Sequence, residues 1–290
     1  MKKLVGNLMI LFGILLLVFL VFRDGFFFLI SPGESNTTAS ADVSDIDEIE
    51  VSSRSTNVDI VGEERDDIYA ELHGGKNISL DASESGGKLS LNVKHKGLSF
   101  FSFFQDHKLV VHVPAEYKEN LSADLTSGNL RLSADHQLSL DQLSLETSSG
   151  NIKVDEVDAK ELNVKGTSGN IGLSDINASN STLRTTSGNI EIENLTGKIH
   201  SKLTSGNVTV SLNELTNDLQ FQLTSGELSL SLPEDADIAL EANTTSGDIS
   251  HSFDFDKIES DENKLKASKG KANHNVSISV TSGDVEIDGQ

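Results

Sequence analysis

The chain has no cysteine and no tryptophan, and it holds only 3 prolines and 2 tyrosines. Without thiols it can build neither a disulfide framework nor a thiolate metal site, and it cannot be lipidated through an N-terminal cysteine. A sugar-binding cleft would normally expose aromatic rings, and here only Tyr69 and Tyr117 stand outside the phenylalanines. Basic residues are also scarce, 23 Lys and Arg against 45 Asp and Glu, for a formal charge of −22. Such a surface repels phosphate backbones, so nucleic acid is not an expected partner. A solvated acidic surface explains the charge more simply than a taste for cations or divalent ions.

Catalytic motifs are missing too. There is no G-x-S-x-G pentapeptide, no P-loop, no H-E-x-x-H and no EF-hand loop, so neither a hydrolase elbow nor a phosphate cradle is suggested. Of the 8 histidines, only His95, His107 and His112 lie near one another, and no pair has a tight ligand spacing. No catalytic residue, cofactor or metal is therefore expected. The residual enzymatic alternative is a wall-polysaccharide-active site on a β-helix, in which carboxylates such as Asp155, Glu156, Asp158, Asp175, Glu191, Glu193 and Asp248 would have to converge.

What the chain does contain begins at its N-terminus. Residues 4–22 read LVGNLMILFGILLLVFLVF, and after Arg23-Asp24 another apolar burst runs to Ile30. About 20 apolar residues span a bilayer core as a helix. Lys2 and Lys3 precede the run, which places the N-terminus in the cytoplasm and the rest outside. Residues 1–30 thus read as a cytoplasmic stub and single-pass anchor in the cell membrane, with residues 4–30 in contact with lipid. Cleavage after Ala41, at Ala39-Ser40-Ala41, is the alternative, but the apolar run exceeds the ~7–15 residues of a signal core. Segment 31–45, polar and without large apolar residues, reads as a flexible linker.

Beyond it a tight-turn motif recurs. Thr/Ser-Ser-Gly-Asn stands at Gly128-Asn129, Gly150-Asn151, Gly169-Asn170, Gly188-Asn189 and Gly206-Asn207, and variants place Gly226, Gly247-Asp248 and Gly283-Asp284. The glycine steps are 22, 19, 19, 18, 20, 21 and 36 residues. Around each turn apolar and polar residues alternate, as in LNVKGTSGNIGL, so the flanks are strands with one buried face. No unit of about 20 residues can bury its own apolar face, so copies must stack. The expected fold is all-β: a right-handed parallel β-solenoid with about 20-residue rungs, preceded by one transmembrane helix. Antiparallel hairpins assembled into a prism or sandwich are the alternative.

In the solenoid the glycine supplies the positive φ of a tight corner, and the asparagines would form a ladder of stacked amides. The TSGN-repeat solenoid occupies 122–290, with an insertion near 251–274 and little separate cap at the far end. Region 46–121 lacks the signature and reads as irregular coils with a capping hairpin; Thr56-Asn57-Val58 looks like a degenerate first turn. One segment, KHKGLSFFSFFQDHK, sets Phe100, Phe101, Phe103 and Phe104 among lysines. Those rings either plug the open end of the core or form an interaction loop for a membrane or a partner.

The anchor, the short linker and the spaced TSGN/TSGD turns with L-x-L and I-x-I flanks together resemble the LiaG-like family of bacterial envelope proteins. The resemblance covers residues 46–290 for the repeats and 1–30 for the anchor. It implies a β-helical, adhesin-like extracellular domain without enzyme activity, linked to the cell-wall antibiotic stress response of Gram-positive bacteria. The expected role is binding or scaffolding, with an envelope protein or a wall polymer as partner; a purely structural envelope spacer is the remaining alternative. Residues alone leave the oligomeric state open.

Overall fold

Strict alternation of apolar and polar side chains suits a strand that hides one face, and the chain follows that rule along most of its length. A computed structural model describes residues 37–74, 77–95 and 107–290. The apolar run at 4–30 and the four phenylalanines at 100–104 lie outside the described residues, as does the expected transmembrane helix. What is described is all-β, apart from a single 3-10 turn at Val43–Asp45.

The N-terminal strands are β1 (Thr38–Asp42), β2 (Glu48–Ser55), β3 (Asn57–Glu63), β4 (Asp67–His73), β5 (Ile78–Ser85), β6 (Lys88–His95), β7 (Lys108–Pro114) and β8 (Asn120–Ser127). The middle holds β9 (Leu130–Ser149), β10 (Ile152–Ser168), β11 (Ile171–Ser187), β12 (Ile190–Ser205), β13 (Val208–Ser211), β14 (Leu219–Ser225) and β15 (Leu228–Leu232). The C-terminal strands are β16 (Ile238–Ser246), β17 (Ile249–His251), β18 (Lys257–Asp261), β19 (Lys264–Lys269), β20 (His274–Ser282) and β21 (Val285–Gly289).

Each long strand from β9 to β12 bends around the core as one coil. β10 pairs in parallel with β9 on one side and β11 on the other, Ile152 lying between Leu130 and Ile171 and Leu162 between Leu143 and Ser181. The repeats are thus parallel and in register, as a solenoid requires; among the described residues antiparallel ladders occur only at the ends. Leu143, Leu145, Ile152, Val154, Leu162, Val164, Ile171 and Leu173 all face inward and are buried. Each such side chain contributes roughly 1.5–3 kcal/mol. Within a column, bulk is traded between neighbouring coils. Ser201 lies beside Phe221, both wholly buried, in the row Val164, Leu183, Ser201, Phe221, Ile278.

At both ends the spatial order departs from the sequence order. On the side leading into the corner turn, neighbours run β5, β6, β2, β8, β9, and at the other end β12, β14, β20, β16, β19, β18. On the side leaving the turn they run β1, β4, β7, β3, β9 and finish β12, β13, β15, β21, β17. The coil of β20 and β21 therefore sits between the coil of β14 and β15 and that of β16 and β17.

One expectation needs correction here: the far end is not bare. The turn at Gly283, last in sequence, belongs to the coil inside that of Gly247. The outermost β16 is covered by the antiparallel hairpin β18–β19, whose Leu265 and Ala267 are buried. An open edge would invite pairing with another chain, and the insertion near 251–274 moves it out to β18, a short exposed strand that carries Lys257, Glu259 and Asp261. A second correction concerns the linker. Thr38–Asp42 is a strand, antiparallel to β4, with Ala39 and Ala41 packed against the core. Alanines this small give no apolar signal, yet the ladder to β4 holds them.

Candidate functional site: corner ladder and outward faces

The repeated corner is built by contact between backbones. Gly188 has φ +127, and a Cβ added there would lie 2.0 Å from the Gly169 carbonyl oxygen. The same close approach links Gly128 to Thr56, Gly150 to Gly128, Gly169 to Gly150, Gly206 to Gly188, Gly226 to Gly206, Gly283 to Gly226 and Gly247 to Gly283. Only glycine fits both the angle and the space. The corner's donors are used up between coils: the Gly169 N–H donates to the Ser187 carbonyl at 3.1 Å and the Ile171 N–H to the Asn189 carbonyl at 2.9 Å.

The asparagines run beside the glycines. The Asn129 N–H donates to Asn57 Oδ1 at 2.9 Å, Asn151 to Asn129 at 3.0 Å, Asn170 to Asn151 at 2.9 Å, Asn189 to Asn170 at 2.9 Å and Asn207 to Asn189 at 3.0 Å. The ladder therefore passes from side-chain oxygen to backbone N–H, in place of the expected amide-to-amide stack. The Glu227 N–H takes the next step onto Asn207 Oδ1 at 3.0 Å, and Asp248 uses Asp284 Oδ1 at 2.8 Å. The degenerate turn at Thr56-Asn57 serves as the first rung of both series.

A second corner escaped the sequence reading. Glu156, Asp175 and Asn194 have φ of 58°, 53° and 54° and sit at equivalent places in successive coils. Asp and Asn tolerate this left-handed conformation better than most residues, Glu less so. Asn194 Nδ2 donates to Asp175 Oδ1 at 2.9 Å. The detectable signal was an acidic or amide residue six positions after Gly150, Gly169 and Gly188.

The carboxylates that could have formed an enzymatic pair do not gather. Glu156 and Asp175 occupy this second corner, and Asp248 belongs to the glycine corner. Asp155 and Glu193 share a column but are separated by Ser174, Glu191 lies in a different column, and Asp158 is on another side of the coil. Among the described residues, no group of three or more His, Cys, Asp or Glu is placed to hold a metal.

The three neighbouring histidines divide. His112 Nδ1 lies 2.9 Å from Glu63 Oε1, whereas the His95 and His107 rings meet edge to face at 5.8 Å. His107 is buried, and neither ring nitrogen has a hydrogen-bond partner among the described residues. Burial, then His107 and Arg54, hold His95 below its ordinary pKa. His95, Arg54, Asn92, Asp124 and Thr126 border an open hollow of about 470 Å³ at the N-terminal end. A second depression, of about 380 Å³, lies on the flank of β11, β12, β14 and β20 between Asn180, Thr182, Lys198, His200, Gln220 and Asn275.

Comparison with known proteins fits this architecture. A "putative adhesin" from Bacteroides fragilis is 13% identical, with 89% of this chain and 99% of that one covered and a TM-score of 0.53. Another "putative adhesin", from Parabacteroides distasonis, is 14% identical over 88% of this chain and 98% of that one, with a TM-score of 0.51. At such identities the likeness speaks for the fold. No curated protein matches the chain in sequence. The family model described as Toastrack DUF4097 matches residues 46–288, nearly all of the described coils. The chain belongs to the Toastrack DUF4097 family.

Proposed function

We propose that this chain is a membrane-anchored, extracellular, non-enzymatic binding or scaffolding protein of a bacterial cell envelope. The observation that carries the reading is the set of outward side chains, which stand in register down the parallel sheets and offer an elongated, polar, repetitive face. Solenoids with such faces bind extended ligands or other proteins. The name adhesin borne by the two structural relatives agrees with this role. The dispersed carboxylates give the wall-polysaccharide enzyme no support.

Anchoring through residues 4–30 rests on the apolar run and the flanking lysines. Ala41 is paired with Ile68 inside β1, so cleavage after it would cut an edge strand from the domain, which favours a retained anchor. A role in the cell-wall antibiotic stress response, in the manner of LiaG, rests on the likeness to the LiaG-like proteins. The four phenylalanines at 100–104 are a candidate contact with membrane or partner.

The test uses the missing cysteines. Gln290→Cys in the full chain should react with a membrane-impermeant maleimide in intact cells, and the labelled protein should sediment with membranes and with wall fragments. Labelling only after lysis would sink the extracellular reading, and labelled protein free in the medium would sink the anchor.

A further inference from the structure

In a chain of charge −22, one patch has the opposite sign. Lys165, Arg184 and Lys202 stand in register on β10, β11 and β12, all exposed and facing outward. Four residues earlier on the same strands, Glu161, Asn180 and Lys198 form a parallel row, and His200 lies between Lys198 and Lys202. Three adjacent strands thus present four cations against the single carboxylate of Glu161, which accepts a hydrogen bond from Asn180 Nδ2 at 2.7 Å. Elsewhere lysine and arginine are mostly neutralised, as in Arg65 with Glu63 and Asp67, or Lys88 with Glu48 and Glu50. Lys165 pairs with Glu146 at the patch border. Arg184, Lys198 and Lys202 have no ion-pair or side-chain hydrogen-bond partner among the described residues.

We propose that this patch binds a linear anionic polymer whose repeat carries one phosphate and free hydroxyls, a poly(alcohol phosphate). The inference rests on the envelope-binding reading above and names its ligand. Strand spacing sets the cations about 4.8 Å apart along the stack, and the two rows lie about 13 Å apart along the strands. The strip is narrow: the row of Lys165 continues into Glu146 and Asp124, and that of Lys198 into Asp218. A planar anionic bilayer or a nucleic acid duplex would meet those carboxylates together with the cations, whereas a single polymer strand can follow the basic strip alone. The depression of about 380 Å³ runs from Thr182 on β11 past Lys198 and His200 on β12 to Gln220 on β14 and Asn275 on β20. Thr182 offers a hydroxyl and Gln220 its amide N–H groups, while His200 Nδ1 and Gln220 Oε1 lie 2.9 Å apart and Asn275 donates to Asp218, the one carboxylate in the lining. Phosphates are matched by the cations, most tightly by the Arg184 guanidinium, and hydroxyls by the neighbouring polar groups.

The test holds the full chain in phosphatidylcholine nanodiscs and follows a fluorescent poly(glycerol phosphate) oligomer by anisotropy. Binding should weaken steeply with salt, as phosphate contacts require, and the double variant R184E/K202E should weaken it by at least about tenfold. R184Q/K202Q should fall between, with unchanged circular dichroism, and K264E/K266E, on the same side but beyond β16, should bind as the parent does. No binding of the oligomer, or equal binding by R184E/K202E, overturns the proposal. Capture of phosphatidylglycerol vesicles through the same residues, at least as tightly, replaces the polymer with a membrane. If R184E/K202E still sediments with wall fragments as the parent does, the patch is not the ligand site while the envelope role stands. If the parent itself fails to sediment, the broader reading falls.

Discussion

The middle of this molecule and its two ends are made from the same alternating strands but obey different rules. From the second half of β9 to β15 each coil lies on the coil that precedes it in sequence. At the N-terminal end the coil of β2 and β3 has later strands on both flanks, β6 and β7 outside and β8 and β9 inside. At the C-terminal end β20 and β21 enter between coils that precede them. A middle coil is therefore interchangeable, whereas an end coil is a fixed part. Removing residues 274–290 should leave β14 and β16 without their common partner and abolish cooperative unfolding. Deleting residues 170–188, one whole middle coil, joins Gly169 to Asn189 and should leave a folded protein with a lowered melting temperature. Thermal denaturation followed by circular dichroism distinguishes them, and equal damage from both deletions would break the comparison.

Within the middle, the corner should be sharply sensitive and the neighbouring face tolerant. Gly188→Ala adds a Cβ at φ +127, 2.0 Å from a backbone oxygen, and should cost about 3 kcal/mol or more. In the next coil down, Gly172→Ala meets nothing closer than Lys153 Cγ at 4.0 Å, and should change stability by no more than about 0.5 kcal/mol. Urea denaturation of the two variants measures the contrast. A smaller loss, about 1 kcal/mol, is expected for Asn170→Ala, which leaves the Asn189 N–H without its acceptor. Asn170→Asp should recover most of it, because Asp284 already serves Asp248 in this way.

The smallest effect belongs to the N-terminal end. His95 has a folded pKa below its ordinary 6.5, so the unfolded chain takes up the proton first. Its share of stability is complete above that ordinary value and is lost as pH falls through the folded value. Between about pH 7 and 5 the parent should therefore lose more stability than His95→Gln, measured as the difference in urea midpoints. Equal losses would show that the histidine pair does not distinguish this end from the middle.

The middle was legible because one residue type at one spacing reported both turn and register. Gly150, Gly169 and Gly188 announce a coil length, and the L-x-L and I-x-I flanks announce which side chains face inward. The ends were not legible because a turn signature says that a coil exists and not which coil it touches. Thr281-Ser282-Gly283 looks terminal in sequence, yet its partners are Gly226 and Gly247. Strand β1 was hidden because Ala39 and Ala41 bury too little to show a pattern. The second corner was hidden because Glu156, Asp175 and Asn194 resemble ordinary surface residues until their backbone angles are known. The glycine corner was foreseen as a turn, but its asparagines act through their side-chain oxygens on the next coil's backbone, a detail that depends on neighbours distant in sequence.

The insertion of β20 and β21 also has a meaning in time. A ribosome releases residues 238–251 before 274–289, so a growing chain that stacked each coil as it appeared would close the place its final strands must occupy. The outer coil must wait or reopen, and a chain that stops early remains recognisably unfinished. The native stack is therefore complete only once the last strands have been delivered.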